Sequence, residues 1–198
     1  MIQTKEVLSG EDSKIRLLKG INTLADAVTS TLGASGRTVA IEDIYGRINI
    51  TKDGVSVSRS IQLEDKVGNL GCTVIKESAE KTVGDCGDGT TTTILLAQYL
   101  INEGEKLIKA GYKPFDIKRG VEKCTKKVLS LLDERSIPVA DNKLKDVASI
   151  SANNDTELGE IIANAFIAVG KNGVVTIEES KTGKTYTTSV EGLEVLRG

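Results

Sequence analysis

The chain has 198 residues, a formal net charge of −2 and only 3% aromatic residues. This length allows a substantial core in one large or two smaller domains, while the near-neutral charge and the scarcity of rings argue against a nucleic-acid-binding surface. Histidine is absent, which excludes Ser-His and Cys-His nucleophile pairs and histidine zinc sites, and no apolar run is long enough to span a membrane.

A first helix is predicted from Ser9 onward, because Ser9–Asp12 resembles a capping box and apolar residues follow at helical spacing. Its stripe consists of Leu17, Ile21, Leu24 and Val28. The helix is expected to end in the loop 31–37, where two glycines suit a C-cap. Considered without the rest of the chain, this loop indicates only a helix end.

A β-hairpin is predicted over Arg37–Thr51, where apolar and polar residues alternate on both sides of a Tyr45–Gly46 turn. The tetrapeptide Thr51-Lys52-Asp53-Gly54 comes next, and a tight turn explains it without any function. In the functional alternative, Lys52 is a counter-charge for phosphate and Asp53 orients or deprotonates an attacking water. The segment Val55–Ile61 fits a strand or a short helix, and its alternation favours a strand.

Two long helices are predicted next, over Leu63–Val83 and from about Gly89 to Lys109, joined by a glycine-rich stretch that runs into four threonines. This stretch is Gly84-Asp85-Cys86-Gly87-Asp88-Gly89-Thr90-Thr91-Thr92-Thr93. It has the composition of a phosphate cradle at a helix N-terminus, with threonine hydroxyls for phosphate oxygens and Asp88 as a magnesium ligand. The alternative is a turn followed by an ordinary N-cap, and no Gly-Lys-Ser/Thr follows as in a Walker A loop.

The three cysteines, Cys72, Cys86 and Cys124, show no C-x-x-C spacing, which predicts reduced thiols and packing roles. Together with an N-terminus that lacks the apolar core of a signal peptide, this predicts a soluble, cytoplasmic protein.

A third helix is predicted from Lys113 to about Glu134, and Pro138 then breaks the helical pattern. Beyond this boundary we expect a short helical piece near Leu144 and Val147 and a longer helix that ends near Val169. Two strand-like segments follow, Val174–Ile177 and Tyr186–Val190, with a second joint at Glu191–Gly192.

Seven motifs stand in a fixed order along the chain: Gly20–Val28, Thr31–Gly33, Ile50–Val57, Gly87–Thr92, Lys118–Gly120, Ile150–Asn153 and Val169–Lys171. In this order they resemble the N-terminal part of a group I chaperonin, the GroEL type, over nearly the whole chain. The resemblance implies a mainly α fold with a small β-hairpin, the N-terminal half of an equatorial nucleotide-binding domain, over residues 1–135. Part of an α+β intermediate hinge domain would follow over 136–191, and a truncated start of an apical domain over 192–198.

The same resemblance implies a function: a subunit of an ATP-driven ring or double ring that assists protein folding. Thr31, Leu32, Gly33 and Ala34 would line the nucleotide and Lys52 would contact phosphate. Asp88, Gly89, Thr90, Thr91 and Thr92 would hold phosphates and magnesium, while Asp53 would serve hydrolysis. ATP and Mg²⁺ are the implied cofactors, with K⁺ as a further candidate ion.

The implied partners are identical subunits, unfolded protein clients and a co-chaperonin lid that binds through the missing apical domain, with no nucleic acid or membrane partner. The chain departs from the family pattern at Ala34-Ser35, where Pro-Lys is usual, and at Leu196, where an acidic residue is usual. Because only the ascending half is present, the fragment is expected to bind nucleotide weakly and to hydrolyse it little. The alternatives are a non-hydrolysing partner or regulatory subunit that docks into chaperonin rings and, more distantly, an unrelated small-molecule kinase.

Overall fold

The computed structural model describes residues 7–33, 35–43, 45–170, 173–190 and 192. Within these ranges the chain forms seven α-helices and one antiparallel hairpin, in which Val39 pairs with Thr51 and Glu42 with Ile48. The elements are α1 Glu11–Thr29, β1 Val39–Glu42, β2 Ile48–Thr51, α2 Gly54–Ser60, α3 Lys66–Cys86, α4 Thr90–Lys109, α5 Pro114–Arg135, α6 Asp141–Ser151 and α7 Thr156–Val169. The predicted class, mainly helical with one small hairpin, is confirmed.

The chain divides into two compact units, one that reaches Lys127 and one that starts at Val128. The first unit contains α1 to α4 and the hairpin, and in the second unit α6 packs against α7. The helix α5 runs across the division and buries none of its side chains. The domain limits expected at residues 135 and 191 stay a prediction.

The core of the first unit is formed mainly by α1 and α3, because both helices turn an apolar stripe towards each other. Small residues let the two backbones approach closely: an added Cβ on Gly20 would lie 2.7 Å from the Cα of Gly68. The fully buried side chains are Ile21, Leu24, Ala25, Val28, Val57, Cys72, Ile75, Ala79 and Ile94. The α2 and α4 helices therefore each contribute one side chain to a core that α1 and α3 dominate.

An ion pair also joins α1 to the start of α3. Asp65 caps α3 by accepting the N–H of Gly68 at 3.0 Å, and it accepts the Arg16 Nε–H at 3.3 Å together with a second bond from Arg16 Nη2. The hydrogen bond from Arg16 is the main reason that the pKa of Asp65 falls from 3.8 to about 2.

Replacement of Asp65 by asparagine is expected to remove part of the acid sensitivity of the fold. Because the folded pKa lies below the unfolded one, the ionised form of Asp65 stabilises the protein above about pH 4, and this contribution is lost as the pH falls to about 2. Asparagine still caps a helix, so the comparison isolates the ion pair. Denaturant titrations between about pH 2 and about pH 6 should show a steeper loss of stability in the wild type; parallel curves would contradict the pairing.

Several local predictions are confirmed. The hairpin and the helices α1, α3, α4, α5 and α7 lie where expected, α5 ends before Pro138, and Asp155 caps α7 by accepting the N–H groups of Glu157 and Leu158. The predicted end of α3 at Gly84 is wrong, because α3 continues to Cys86 and its C-cap is Gly87, whose φ of 74° suits a glycine. Cys72 is buried as expected of a packing residue, whereas Cys86 and Cys124 are exposed.

Three other local predictions are wrong. The capping box at Ser9–Asp12 does not form, since Gly10 is the N-cap and no side chain caps α1. Residues 55–60 form the helix α2 and not a strand, because Asp53 caps them and overrides their alternation. The segments 174–177 and 186–190 form no strands, and Val174, Ile177 and Val190 are each at least 80% exposed; an unsupported two-stranded ribbon is marginal in water.

Some expectations fall outside the described residues, namely those on Met1–Glu6, on Ala34, on the turn residues 171–172, on Glu191 of the second joint and on 193–198, most of the segment 192–198 expected to begin the apical domain. None of the described helices carries a long, nearly uncharged apolar stretch that could cross a lipid bilayer.

Candidate functional site

The start of α4 is a helix N-terminus preceded by two glycines of positive φ. Gly87 and Gly89 have φ values of 74° and 94°, a left-handed conformation that glycine adopts without strain. Gly89 is the N-cap of this 20-residue helix and, because it has no side chain, it makes no capping hydrogen bond to the first turn. Asp88 is exposed and its Oδ1 accepts the N–H of Gly89 at 2.6 Å. The positive end of the α4 dipole and the first-turn N–H groups are thus available to a negatively charged ligand.

The threonines that open α4 are not equivalent. Thr90 is 7% exposed, and its Oγ1 is buried without a hydrogen-bond partner among the described residues. A buried hydroxyl without a partner costs about 1–3 kcal/mol, so this group is available for a hydrogen bond to a ligand at the start of α4. Thr93 instead bonds Thr82 on α3 through the two hydroxyls at 3.1 Å. This bond ties α4 to α3 directly below the glycine-rich loop.

Asp53 is held by the helix that it caps. Its carboxylate accepts the N–H of Val55 at 3.2 Å, the N–H of Ser56 at 2.8 Å and the hydroxyl of Ser56 at 2.7 Å. Partial desolvation raises the pKa of Asp53, but these hydrogen bonds and the charge of Arg59 outweigh it, so the pKa is lowered overall. Asp53 is therefore an ionised, oriented acceptor at neutral pH and a weak base.

The structure brings two of the predicted segments into direct contact and places the third beside them. Gly54 lies against Thr91, because a Cβ on Gly54 would collide with the Thr91 hydroxyl. The same Cβ would lie 3.3 Å from Cγ1 of Val28, near the end of α1. Thr31 follows this point and donates its hydroxyl to the carbonyl of Val28 at 2.7 Å. The end of α1, the start of α2 and the start of α4 therefore meet.

The remaining predicted site residues lie on the same three segments. Lys52 is exposed between β2 and α2, next to Asp53. Leu32 and Gly33 are exposed in the loop after α1, and Thr92 is exposed in the first turn of α4. Ala34 lies outside the described residues. The roles predicted for these residues stay predictions.

Sequence reasoning missed three contributors to this site. Ser56, three residues after Asp53, has the spacing of a capping partner and could have been found from the sequence. The bond between Arg59 on α2 and Glu80 on α3 carries no such signal, because the two residues are far apart in the chain.

The protein offers few ligands for a metal ion, which suits a metal that is held mostly by the phosphates of a bound substrate. Among the described residues no three Cys, Asp or Glu side chains cluster as a metal cage would require. Asp88 would be a single carboxylate ligand, which matches Mg²⁺ because this ion usually keeps waters and substrate phosphates as its other ligands.

The TCP-1/cpn60 chaperonin family model matches residues 24–198. Two crystal forms of the chaperonin gp146 from the bacteriophage EL 2 (Pseudomonas aeruginosa), determined in the presence of ATP-BeFx, share 32% sequence identity with this chain at TM-scores of 0.66 and 0.67. A group III chaperonin in the open state is similar in fold, with 23% identity, a TM-score of 0.66 and coverage of 79% of this chain.

The gp146 matches cover 80% of this chain but only 28% of the phage chaperonin, and the group III match covers 32% of that chain. The present sequence thus spans about a third or less of the length of these relatives. The family match extends over most of its residues, and the motifs quoted above lie largely within it. The chain therefore belongs to the TCP-1/cpn60 chaperonin family.

Proposed function

We propose that this chain is the ascending, N-terminal part of an ATP-dependent chaperonin subunit that binds Mg-ATP at the start of α4. The observation that carries the proposal is the packing of Gly54, the residue after Asp53, against Thr91 at the start of α4. The ATP-BeFx present with the phage relative supports nucleotide as the ligand class. The partners proposed with this function are identical subunits in a ring and unfolded protein clients in the cytoplasm, with a co-chaperonin lid as a further candidate partner.

The proposed roles follow from the chemistry of each group. The first-turn N–H groups of α4 and the hydroxyls of Thr90, Thr91 and Thr92 would bind phosphate oxygens, because the helix dipole and these donors favour negative charge. Asp88 would hold Mg²⁺, and Lys52 would supply a positive charge for the phosphates. The loop Thr31–Ala34 would line the nucleotide, and K⁺ is a further candidate ion. When bound, Mg²⁺ would neutralise charge that develops on the phosphates.

Asp53 would act on water. Its lowered pKa keeps the carboxylate ionised at neutral pH, so it can accept a hydrogen bond from a water and orient it for attack. The Ser56 hydroxyl and the two N–H groups that bond Asp53 limit its rotation. Positioning of this kind is the main contribution that a protein makes to phosphoryl transfer.

Replacement of Asp88 by alanine is expected to weaken Mg-ATP binding by about tenfold or more, because one charge-assisted contact to the ion is lost. Isothermal titration calorimetry of the complete protein with ATP, in the presence and in the absence of Mg²⁺, would measure this change in affinity. Asp85→Ala is the matched control: Asp85 is also exposed and lies in the last turn of α3, so the variant changes the net charge equally.

Equal Mg-ATP affinity in the wild type and in Asp88→Ala would overturn the metal assignment. Binding that does not respond to Mg²⁺ would have the same meaning. Tight binding without any turnover in the complete protein would favour the alternative, a non-hydrolysing partner or regulatory subunit of chaperonin rings.

A further inference from the structure

The helix α2 is fixed at both of its ends by other helices. At its start Gly54 packs against Thr91 of α4, and in its middle Val57 is fully buried. At its end two side chains of α3 hold it: Glu80 binds Arg59, and Lys76 donates to the carbonyl of Ile61. With seven residues α2 is too short to be stable by itself, so these contacts decide its position.

The bond between Arg59 and Glu80 is two-pronged. Arg59 Nε donates to Glu80 Oε1 at 2.7 Å, and Arg59 Nη2 donates to Glu80 Oε2 at 3.1 Å. This geometry fixes the direction of both side chains and is the strongest form of such a pair, although both residues are exposed. Hydrogen bonding to Arg59 lowers the pKa of the Glu80 carboxyl, so the pair remains ionised at neutral pH.

Lys76 and Glu80 are one helical turn apart on α3, a spacing at which lysine and glutamate commonly pair within a helix. Here their partners lie elsewhere, since Lys76 bonds the C-cap residue of α2 and Glu80 bonds its last turn. Two neighbouring α3 side chains of opposite charge thus bind the same end of α2. Arg59 and Glu80 also line a small pocket together with Thr90, whose hydroxyl has no hydrogen-bond partner among the described residues.

We propose that Lys76 and Glu80 of α3, with Arg59 of α2, form an α2 clamp whose residues position Asp53 opposite the start of α4. Asp53 immediately precedes α2 and its carboxylate is bonded to the first turn of that helix. A rotation of α2 away from α3 would therefore carry Asp53 with it. The effect of the α2 clamp on catalysis rests on the proposed function. The fixing of α2 by the α3 side chains does not depend on that function.

The first experiment measures ATP turnover by the complete protein that contains this chain. Glu80→Gln and Arg59→Gln are each expected to lower kcat by about threefold to fivefold with unchanged KM. A factor of this size corresponds to the largest free energy that an exposed ion pair usually contributes. The double variant should be no slower than either single one, because both break the same pair. Arg59→Lys, which keeps the charge but lacks the planar fork, should recover kcat only in part.

Glu103→Gln is the control, because Glu103 forms a similarly exposed pair with Lys106 on α4 and lies outside the α2 clamp. Its kcat and KM should equal those of the wild type. The positioning role would be overturned if the double variant lowered kcat by the product of the two single effects. An equal loss of kcat in Glu103→Gln would also overturn it. So would a change confined to KM.

The second experiment needs no ATP turnover. Amide hydrogen exchange in the 198-residue chain should become about fivefold faster at residues 57–61 in Glu80→Gln and unchanged in α1, because only α2 loses a tether. Unchanged exchange in α2 would overturn the α2 clamp itself. If the unmodified complete protein hydrolyses no ATP, the proposed function and the positioning role fail together, while the exchange result still decides whether the α2 clamp exists.

Discussion

Replacement of Asp53 by alanine in the complete protein is expected to slow ATP hydrolysis by about a hundredfold or more while Mg-ATP binding stays nearly unchanged. A positioned carboxylate that orients or accepts a proton from water typically contributes about 10²–10⁴ in rate. Binding should persist because, apart from Lys52, the groups assigned to the phosphates and the metal lie on α4 and its preceding loop. Single-turnover kinetics and titration calorimetry would measure the two quantities separately.

Alanine at position 53 also removes the N-cap of α2, which contributes about 1 kcal/mol at an average site. Asp53→Asn is the matched variant, since asparagine keeps a capping oxygen but carries no charge. We expect both variants to be slow, and only the alanine variant to lose stability. Wild-type turnover in Asp53→Asn would show that the carboxylate charge has no part in hydrolysis.

Replacement of Gly20 by alanine is expected to destabilise the fold by about 3 kcal/mol, at the upper end of the usual range for overpacking. The added Cβ would meet the backbone of Gly68 on α3 and would lie only 2.7 Å from the Cα of Gly68. A flexible side chain could move aside, but here two helix backbones must separate and the core between α1 and α3 must open. Denaturant unfolding of the 198-residue chain would measure the loss.

The matched control is Gly104→Ala. Gly104 lies inside α4, and an added Cβ there would meet nothing within 4 Å. Alanine is favoured over glycine in a helix by about 0.5–1 kcal/mol, so this variant should be slightly more stable than the wild type. Equal stability of Gly20→Ala and Gly104→Ala would mean that α1 and α3 do not approach each other as described.

Expectations that depended on local sequence were mostly reliable. The helical spacing of Leu17, Ile21, Leu24 and Val28 predicted α1, and three of these side chains are fully buried. The alternation before Thr51 predicted the hairpin. The same alternation failed at residues 55–60, where the cap from Asp53 produces a helix. Alternation describes side chains only, whereas a cap satisfies backbone N–H groups, and in this short segment the backbone bonds prevail.

The strand prediction beyond Gly173 failed for a different reason. A strand needs a neighbour to accept and donate its backbone hydrogen bonds, and β-branched residues such as Val174 and Ile177 do not supply one. Within residues 173–190 no segment pairs with another. The β-branched residues therefore indicated a preference for strand structure, but no strand forms in the described part of this segment.

The sequence by itself determined the helical class, the small hairpin, the order of the motifs and hence the family, because these features are local or are ordered along the chain. Only the tertiary structure decided that Gly54 meets Thr91, that Gly20 meets Gly68 and that Arg59 binds Glu80. Each of these contacts joins residues on different helices. Their formation depends on how the shared apolar core orients those helices, and no local pattern of residues encodes that orientation.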